Sequence, residues 1–468
     1  MQIRRSSLRT FFNNLKIAIT GSEKNFTSGS INKAIFMLSV PMILEMVMES
    51  LFAIVDIFFV SKVSVNAIAT IGLTESVIFL VFAIAIGLSM AATAMVARRT
   101  GEHKPEEASE AAWQAIIIAA AFSMLISIAG FFFAKDVLQL MGASDAVVAE
   151  GYGYTKWMLG GNITIMMLFL INAIFRGAGD ASLAMRTLWF ANGINIILDP
   201  ILIFGLGPIP AFGVEGAAIA TTIGRGSAVL YQLYNLFYKS NLIQIKRYHL
   251  KPNFPVMLKI IKVSMGGMGQ YLIGTASWLF MVRIISLFGS EAIAGYTISM
   301  RVIMFSILPS WGLSNAAATL VGQNLGASQP DRAEKSVWTC ARYNMFFLLF
   351  VSILFFVFAE NIVGLFNADG KVAEYAIQSL HYITVGYIFF AYGMTISQAF
   401  NGAGDTRTPT IINFFAYWLF QLPLAYFLAV KLEMGPSGAF LSVAITIFFI
   451  ASAFVIAFRR GRWKTVKI

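Results

Sequence analysis

The sequence predicts an all-α integral membrane protein of twelve transmembrane helices, arranged as two parallel repeats of six. Three observations lead there. Apolar residues fall in runs long enough to cross a bilayer, basic residues gather in alternate loops, and the second half of the chain repeats the first at a constant offset.

Of the 468 residues, 58% are hydrophobic and 12% are charged, whereas soluble domains carry about 25% charged residues. With 42 Phe and 22 Met against 23 acidic residues, too little polar surface remains to wrap a soluble core. A hydrocarbon core about 30 Å thick takes roughly 20 helical residues per crossing. Runs of that length predict spans at 34–60, 67–97, 112–133, 151–175, 184–204 and 213–237. Six more follow at 263–288, 292–321, 337–358, 375–400, 409–430 and 438–458. The chain thus divides into an arm (1–33), a first lobe (34–238), a basic linker (239–262), a second lobe (263–459) and a basic tail (460–468).

The net charge of +11 is distributed as topology signals rather than as a nucleic-acid patch. The arm, the alternate loops on its side and the tail hold 26 of the 34 Lys and Arg residues, and the opposite loops hold five. That bias predicts that both termini are cytoplasmic in a multi-pass plasma-membrane protein. Arg225, Arg283 and Arg301 lie in or near spans. The arm lacks a short apolar core with a small-residue cleavage site and reads as a cytoplasmic segment. One cysteine, Cys340, excludes an intrachain disulfide.

The repeat has an offset of 225 residues. Phe175-Arg176-Gly177-Ala178-Gly179-Asp180 recurs as Phe400-Asn401-Gly402-Ala403-Gly404-Asp405, and Ala67-Ile68-Ala69 as Ala292-Ile293-Ala294. Gly101, Pro105, Glu106 and Ala108 fall on Gly326, Pro330, Asp331 and Ala333; after a three-residue slip, Gly216-Ala217 meets Gly438-Ala439. Six spans per unit make the repeats parallel, related by an axis along the membrane normal. The Gly-Ala-Gly-Asp segments read as turns whose aspartates cap the following helices.

Carboxylates inside a bilayer are costly and usually face a cavity. Glu45, Glu49 and Asp56 share one face of the first span at spacings of four and seven. Asn192, Asn195 and Asp199 share a face of the fifth, and Pro200 deprives the Ile196 carbonyl of its helical donor. Thr221 in the sixth span adds a hydroxyl. Such a set predicts a site for Na⁺ or for a shared proton, with no other metal and no cofactor. The alternative is that the acids pair with Lys or Arg to hold helices together, and it weighs most for Glu45 and Glu49. At the repeat offset, Glu45, Glu49, Asp56 and Asp199 fall on Gln270, Gly274, Met281 and Leu424, so the acids belong to one lobe. Glu75 either joins the cavity or sits at the end of its span remote from the cytoplasm. Phe and Met side chains lining a cavity would form an adaptable pocket.

Taken in order, Val55-Asp56-Ile57-Phe58-Phe59-Val60, Phe175 to Asp180, Asn195 to Pro200, Gly213 to Ala218 and Phe400 to Asp405 resemble the multidrug and toxic compound extrusion (MATE) family. That family sits in a superfamily that includes lipid and polysaccharide flippases. The resemblance spans Ile35 to Phe458 and implies two six-helix lobes in a V-shaped, pseudo-two-fold bundle. It implies export of organic cations and other amphipathic compounds, driven by inward H⁺ or Na⁺; apart from the resemblance, a monomer in contact with membrane lipids and no nucleic acid is expected. The family's ion site would fall on Asp56, Asn195, Asp199 and Thr221. Tyr154 enters from the resemblance alone, as a cavity residue beside Glu45, Glu49, Asn192 and Pro200. The chain departs from relatives with acids in the seventh and tenth spans, where it offers Gln270, Thr275 and His381. The alternative in transport is a flippase for lipid-linked saccharides, which favours a cationic cavity. An enzyme is not expected, because His103, His249 and His381 are scattered.

Overall fold

A computed structural model describes residues 12–21, 25–239 and 242–468. Regular structure in these residues is helical, apart from one isolated bridge between Leu206 and Ile209. The first lobe comprises α1 (Ile31–Val60), α2 (Val65–Gly101), α3 (Pro105–Leu140), α4 (Asp145–Gly160), α5 (Asn162–Ala178), α6 (Ala181–Phe204) and α7 (Val214–Tyr234). The second comprises α8 (Phe254–Ile285), α9 (Ser290–Gly326), α10 (Pro330–Val357), α11 (Ala359–Gly364), α12 (Gly370–Val385), α13 (Tyr387–Ala403), α14 (Arg407–Lys431) and α15 (Pro436–Arg459). Among the described residues, nine spans are long and apolar enough to cross a membrane, or ten if α12 and α13, bent by 58°, count as one. α1 and α7 lie outside that set; they occupy the other two expected positions and carry Glu45, Glu49, Asp56 and Arg225.

Local chemistry sets the helix ends. Ser64, Ser144, Asp180 and Asn253 accept hydrogen bonds from backbone amides three residues on, and proline opens α3, α10 and α15. In the repeated Gly-Ala-Gly-Asp turns, Gly179 and Gly404 leave their helices at φ of +101° and +86°, a conformation costly for any residue with a Cβ. Asp180 then caps Leu183 (3.1 Å) and Asp405 caps Thr408 (3.1 Å).

The backbone repeats in its irregularities as well. Phe133 interrupts α3 at φ −112°, ψ 15°, and Phe358 separates α10 from α11 at φ −108°, ψ 18°. Gly161 breaks the fourth span, and Gly386, 225 residues on, breaks the tenth. His103 and Ser328, the same offset apart, both sit at positive φ (58° and 57°).

The lobes meet toward the end that carries the termini and diverge beyond it as a V. Their seam there is reciprocal. A Cβ on Gly101 would lie 1.9 Å from the Gln323 carbonyl oxygen, and one on Gly326 would lie 2.1 Å from that of Arg98. Residues 98 and 323, like 101 and 326, are repeat equivalents, so α2 and α9 cross backbone to backbone across the axis. The tail and the arm fasten the same end. Arg98 and Arg99 donate to the carbonyls of Val466 (2.9 Å) and Ile468 (3.2 Å). The Phe26 amide donates to Gln323 (2.9 Å), and Arg332 donates to the Ser28 carbonyl (3.0 Å).

Candidate functional site

Asp199, fully buried on α6, stands one turn beyond Asn195. The Asn195 amide nitrogen donates both to Asp199 Oδ1 (3.2 Å) and to Thr221 Oγ1 on α7 (3.1 Å). Asn195 is thereby fixed with its carbonyl oxygen turned away from both partners. Asp56 approaches from α1 to within electrostatic reach of Asp199, and Glu75 on α2 and Arg225 on α7 act in turn on Asp56. Tyr154, buried on α4, lies within reach of all four charges. Among the described residues, no Lys or Arg forms an ion pair with Asp56 or Asp199. Asp56 Oδ1, Asp199 Oδ2 and Asn195 Oδ1 are each buried with no hydrogen-bond partner. Buried acceptors without donors are rare in folded proteins. Two of the three belong to carboxylates within electrostatic reach of each other, and the third to the amide bonded to Asp199, a donor set that suits a bound proton or a small oxygen-seeking cation.

The other two acids of α1 behave differently. Glu45, only 2% exposed, accepts from Arg176 (2.7 Å) and from Asn172 (3.1 Å), which Gln232 holds in turn (2.6 Å). It is an ion-paired scaffold residue inside the lobe. The second lobe supports this reading of Glu45. Gln270 and Asn401, the repeat equivalents of Glu45 and Arg176, hydrogen-bond to each other at 2.9 and 3.2 Å. Thus an amide pair in one lobe occupies the place of an ion pair in the other. Asp56 has no such analogue: its equivalent, Met281, is packed in the apolar core of the second lobe. Glu49 pairs with Arg225 (3.4 Å) and accepts from Asn192 (3.4 Å).

Between the lobes lies a cavity of about 240 Å³. Glu49, Met46, Phe82, Met90, Phe169 and Arg176 line one wall, and Tyr271, Trp311, Asn315 and Gln398 line the other. Tyr271 also stacks on Phe79 across the lobes, with ring centroids 4.7 Å apart. Of the five residues expected at a cavity, Glu49 lines this one. Glu45, Tyr154, Asn192 and Pro200 stand outside its lining; Glu45 is held behind Arg176, and Tyr154 and Asn192 are buried within their own lobe. Glu75 stands outside the lining of this cavity and lies within electrostatic reach of Asp56. Arg176, Asn172 and Gln232 carried no role in the sequence, although Arg176 opposite Asn401 was a visible departure from the repeat. His381 bonds the Phe356 carbonyl (3.2 Å) and stacks on that ring, apart from the cavity.

Comparison with known proteins gives a consistent result. The MatE family model matches residues 41–201 and 268–427. A probable multidrug resistance protein NorM of Thermotoga maritima is 27% identical over 441 residues, covering 93% of each chain. An FAD transporter of Shewanella oneidensis is 25% identical over 402 residues, covering 85% of this chain and 88% of its own. Among solved structures, the outward-facing conformation of a multidrug resistance MATE family transporter superposes with a TM-score of 0.88. It is 26% identical and covers 95% of this chain and 99% of its own.

Proposed function

The chain belongs to the MatE family, and from that premise we propose that it is a secondary active antiporter. It exports amphipathic, cationic drugs or metabolites in exchange for inward H⁺ or Na⁺. The observation that carries this is the set of unpartnered buried oxygens on Asp56, Asn195 and Asp199 in the first lobe, the two carboxylates within electrostatic reach of each other.

With the far end open, the coupling cation enters and is shared by Asp56 and Asp199, oriented by Asn195 and Thr221. Two nearby carboxylates cannot both remain charged in a buried site without cost, so the cation neutralises the pair. Helix α6 then repacks around Pro200, the cavity loses its hold on a cationic cargo, and the cargo leaves. The empty lobes rock about their seam and the cation is released on the terminal side, which is the cytoplasm of a plasma-membrane protein by the Lys and Arg bias. Alternating access of this kind needs a single protomer, so the protein works as a monomer.

A flippase for lipid-linked saccharides is the weaker reading. The Arg in the described cavity wall, Arg176, is neutralised by Glu45, and the other charged residue of the lining is a carboxylate, Glu49, paired with Arg225, so the wall offers no free cation to a phosphate. Ethidium efflux from inverted vesicles, with a pH gradient and a Na⁺ gradient imposed separately, tests the proposal. One of the two must drive export. If neither does, the exchange is wrong.

A further inference from the structure

Arg225 stands where the ion site and the cargo cavity meet. Glu49 and Asp56 lie seven residues apart on one face of α1, about 10 Å along the axis, and Phe52 lies between them on that face. The guanidinium of Arg225 sits over the Phe52 ring, 5.4 Å from its centroid, and donates to Glu49 at 3.4 Å. Its Nε is buried with no partner, and Arg225 is also within electrostatic reach of Asp56 and Tyr154. Glu49 lines the cavity, whereas Asp56 belongs to the ion site. The groups that face Arg225 are therefore Glu49 and Asp56 of α1, Tyr154 of α4 and, behind Asp56, Glu75 and Asp199.

We infer that Arg225 is the positioning residue that makes coupling cation and cargo mutually exclusive, by pairing with Glu49 when the ion site is loaded and with Asp56 when it is not. The inference rests on the exchange proposed above and names its link. One guanidinium cannot satisfy two carboxylates that stand two helical turns apart, one on either side of Phe52. Once the cation neutralises Asp56, Arg225 is held by Glu49 alone, and the cavity loses its free negative charge. Once the cation departs, the recharged Asp56 competes for Arg225. Glu49, still oriented by Asn192, is then free to hold a cationic cargo. The aromatic ring supports the guanidinium in both positions.

The test is ethidium binding to purified protein, followed by fluorescence anisotropy with and without the driving cation. In the wild type the cation should weaken binding by about tenfold, within the usual range of site-to-site coupling. In Arg225→Met, whose apolar stem keeps the packing over Phe52, binding should be tight with or without the cation. Arg225→Lys, which keeps the charge, should retain a reduced antagonism. Asp56→Asn should bind weakly throughout, and Asp56→Asn with Arg225→Met should bind tightly again. Wild-type antagonism persisting in Arg225→Met, or weak binding in the double variant, would overturn the assignment. Absence of antagonism by either cation in the wild type would instead remove the exchange itself.

Discussion

Replacing Arg176 with Met tests whether the Glu45–Arg176 pair is scaffold. The substitution leaves Glu45, 2% exposed, without its cation in the interior of the first lobe. Removing one partner of a buried ion pair costs about 3–5 kcal/mol. Two features reduce that figure here. Asn172 still donates to Glu45 at 3.1 Å, and the Arg176 side chain is 12% exposed, so part of its attraction is already screened. A loss of about 2–4 kcal/mol remains, to be read from reversible unfolding in mixed micelles. The second lobe supplies the rescue. Glu45→Gln with Arg176→Asn installs the pair that Gln270 and Asn401 form at 2.9 Å, and it should lie within about 1 kcal/mol of the wild type, since neutral hydrogen bonds replace charged ones. A double variant as unstable as Arg176→Met would refute the equivalence of the two pairs and with it the scaffold role of Glu45.

Asp56→Asn and Asp199→Asn should each abolish cation-driven ethidium export while the protein still inserts and elutes as a folded species; wild-type export by both would refute their role. Gly101→Ala places a Cβ 1.9 Å from the Gln323 carbonyl oxygen and should part the seam at the terminal end. Spin labels at Lys104→Cys and Asp331→Cys, with the buried Cys340 replaced by Ser, should then report longer separations, and an unchanged distribution would count against the seam. Trp463→Ala removes a fully buried ring stacked 4.7 Å from Phe458 and should cost the second lobe about 3–5 kcal/mol, measured by the same unfolding.

The membrane class, the spans and the parallel repeat were legible because each is written in many residues at once. The candidate site was legible in outline for a different reason. Asp56 and Asp199 are intramembrane acids whose repeat equivalents are Met281 and Leu424, so the departure from symmetry marks them. What the sequence left open was pairing. Helical spacing puts Glu45, Glu49 and Asp56 on one face, but it says nothing of which α5, α6 or α7 side chain meets each of them. Arg176 and Arg225 reach α1 only through tertiary packing, and they split the three acids into a scaffold residue, a cavity residue and a site residue.

The two lobes share their joints but not their charges, and that division suits an exchanger. Breaks at 133 and 358 and at 161 and 386 give both lobes the same places to bend, and the reciprocal crossing of α2 and α9 gives them a common seam. A bundle with identical chemistry in both halves would feel a cation equally on each side, and the forces would tend to cancel across the axis. Confining Asp56, Asp199 and Glu75 to the first lobe means that, in the proposed exchange, neutralising charge relieves repulsion inside one lobe only. Pro200, next to Asp199, marks where that lobe can yield, because the Ile196 carbonyl has no helical donor to hold it. The opposite lobe, with Met281 packed where Asp56 would stand, has no comparable charge to lose. In the proposed exchange, one lobe therefore responds while the other serves as the fixed surface against which the response becomes motion.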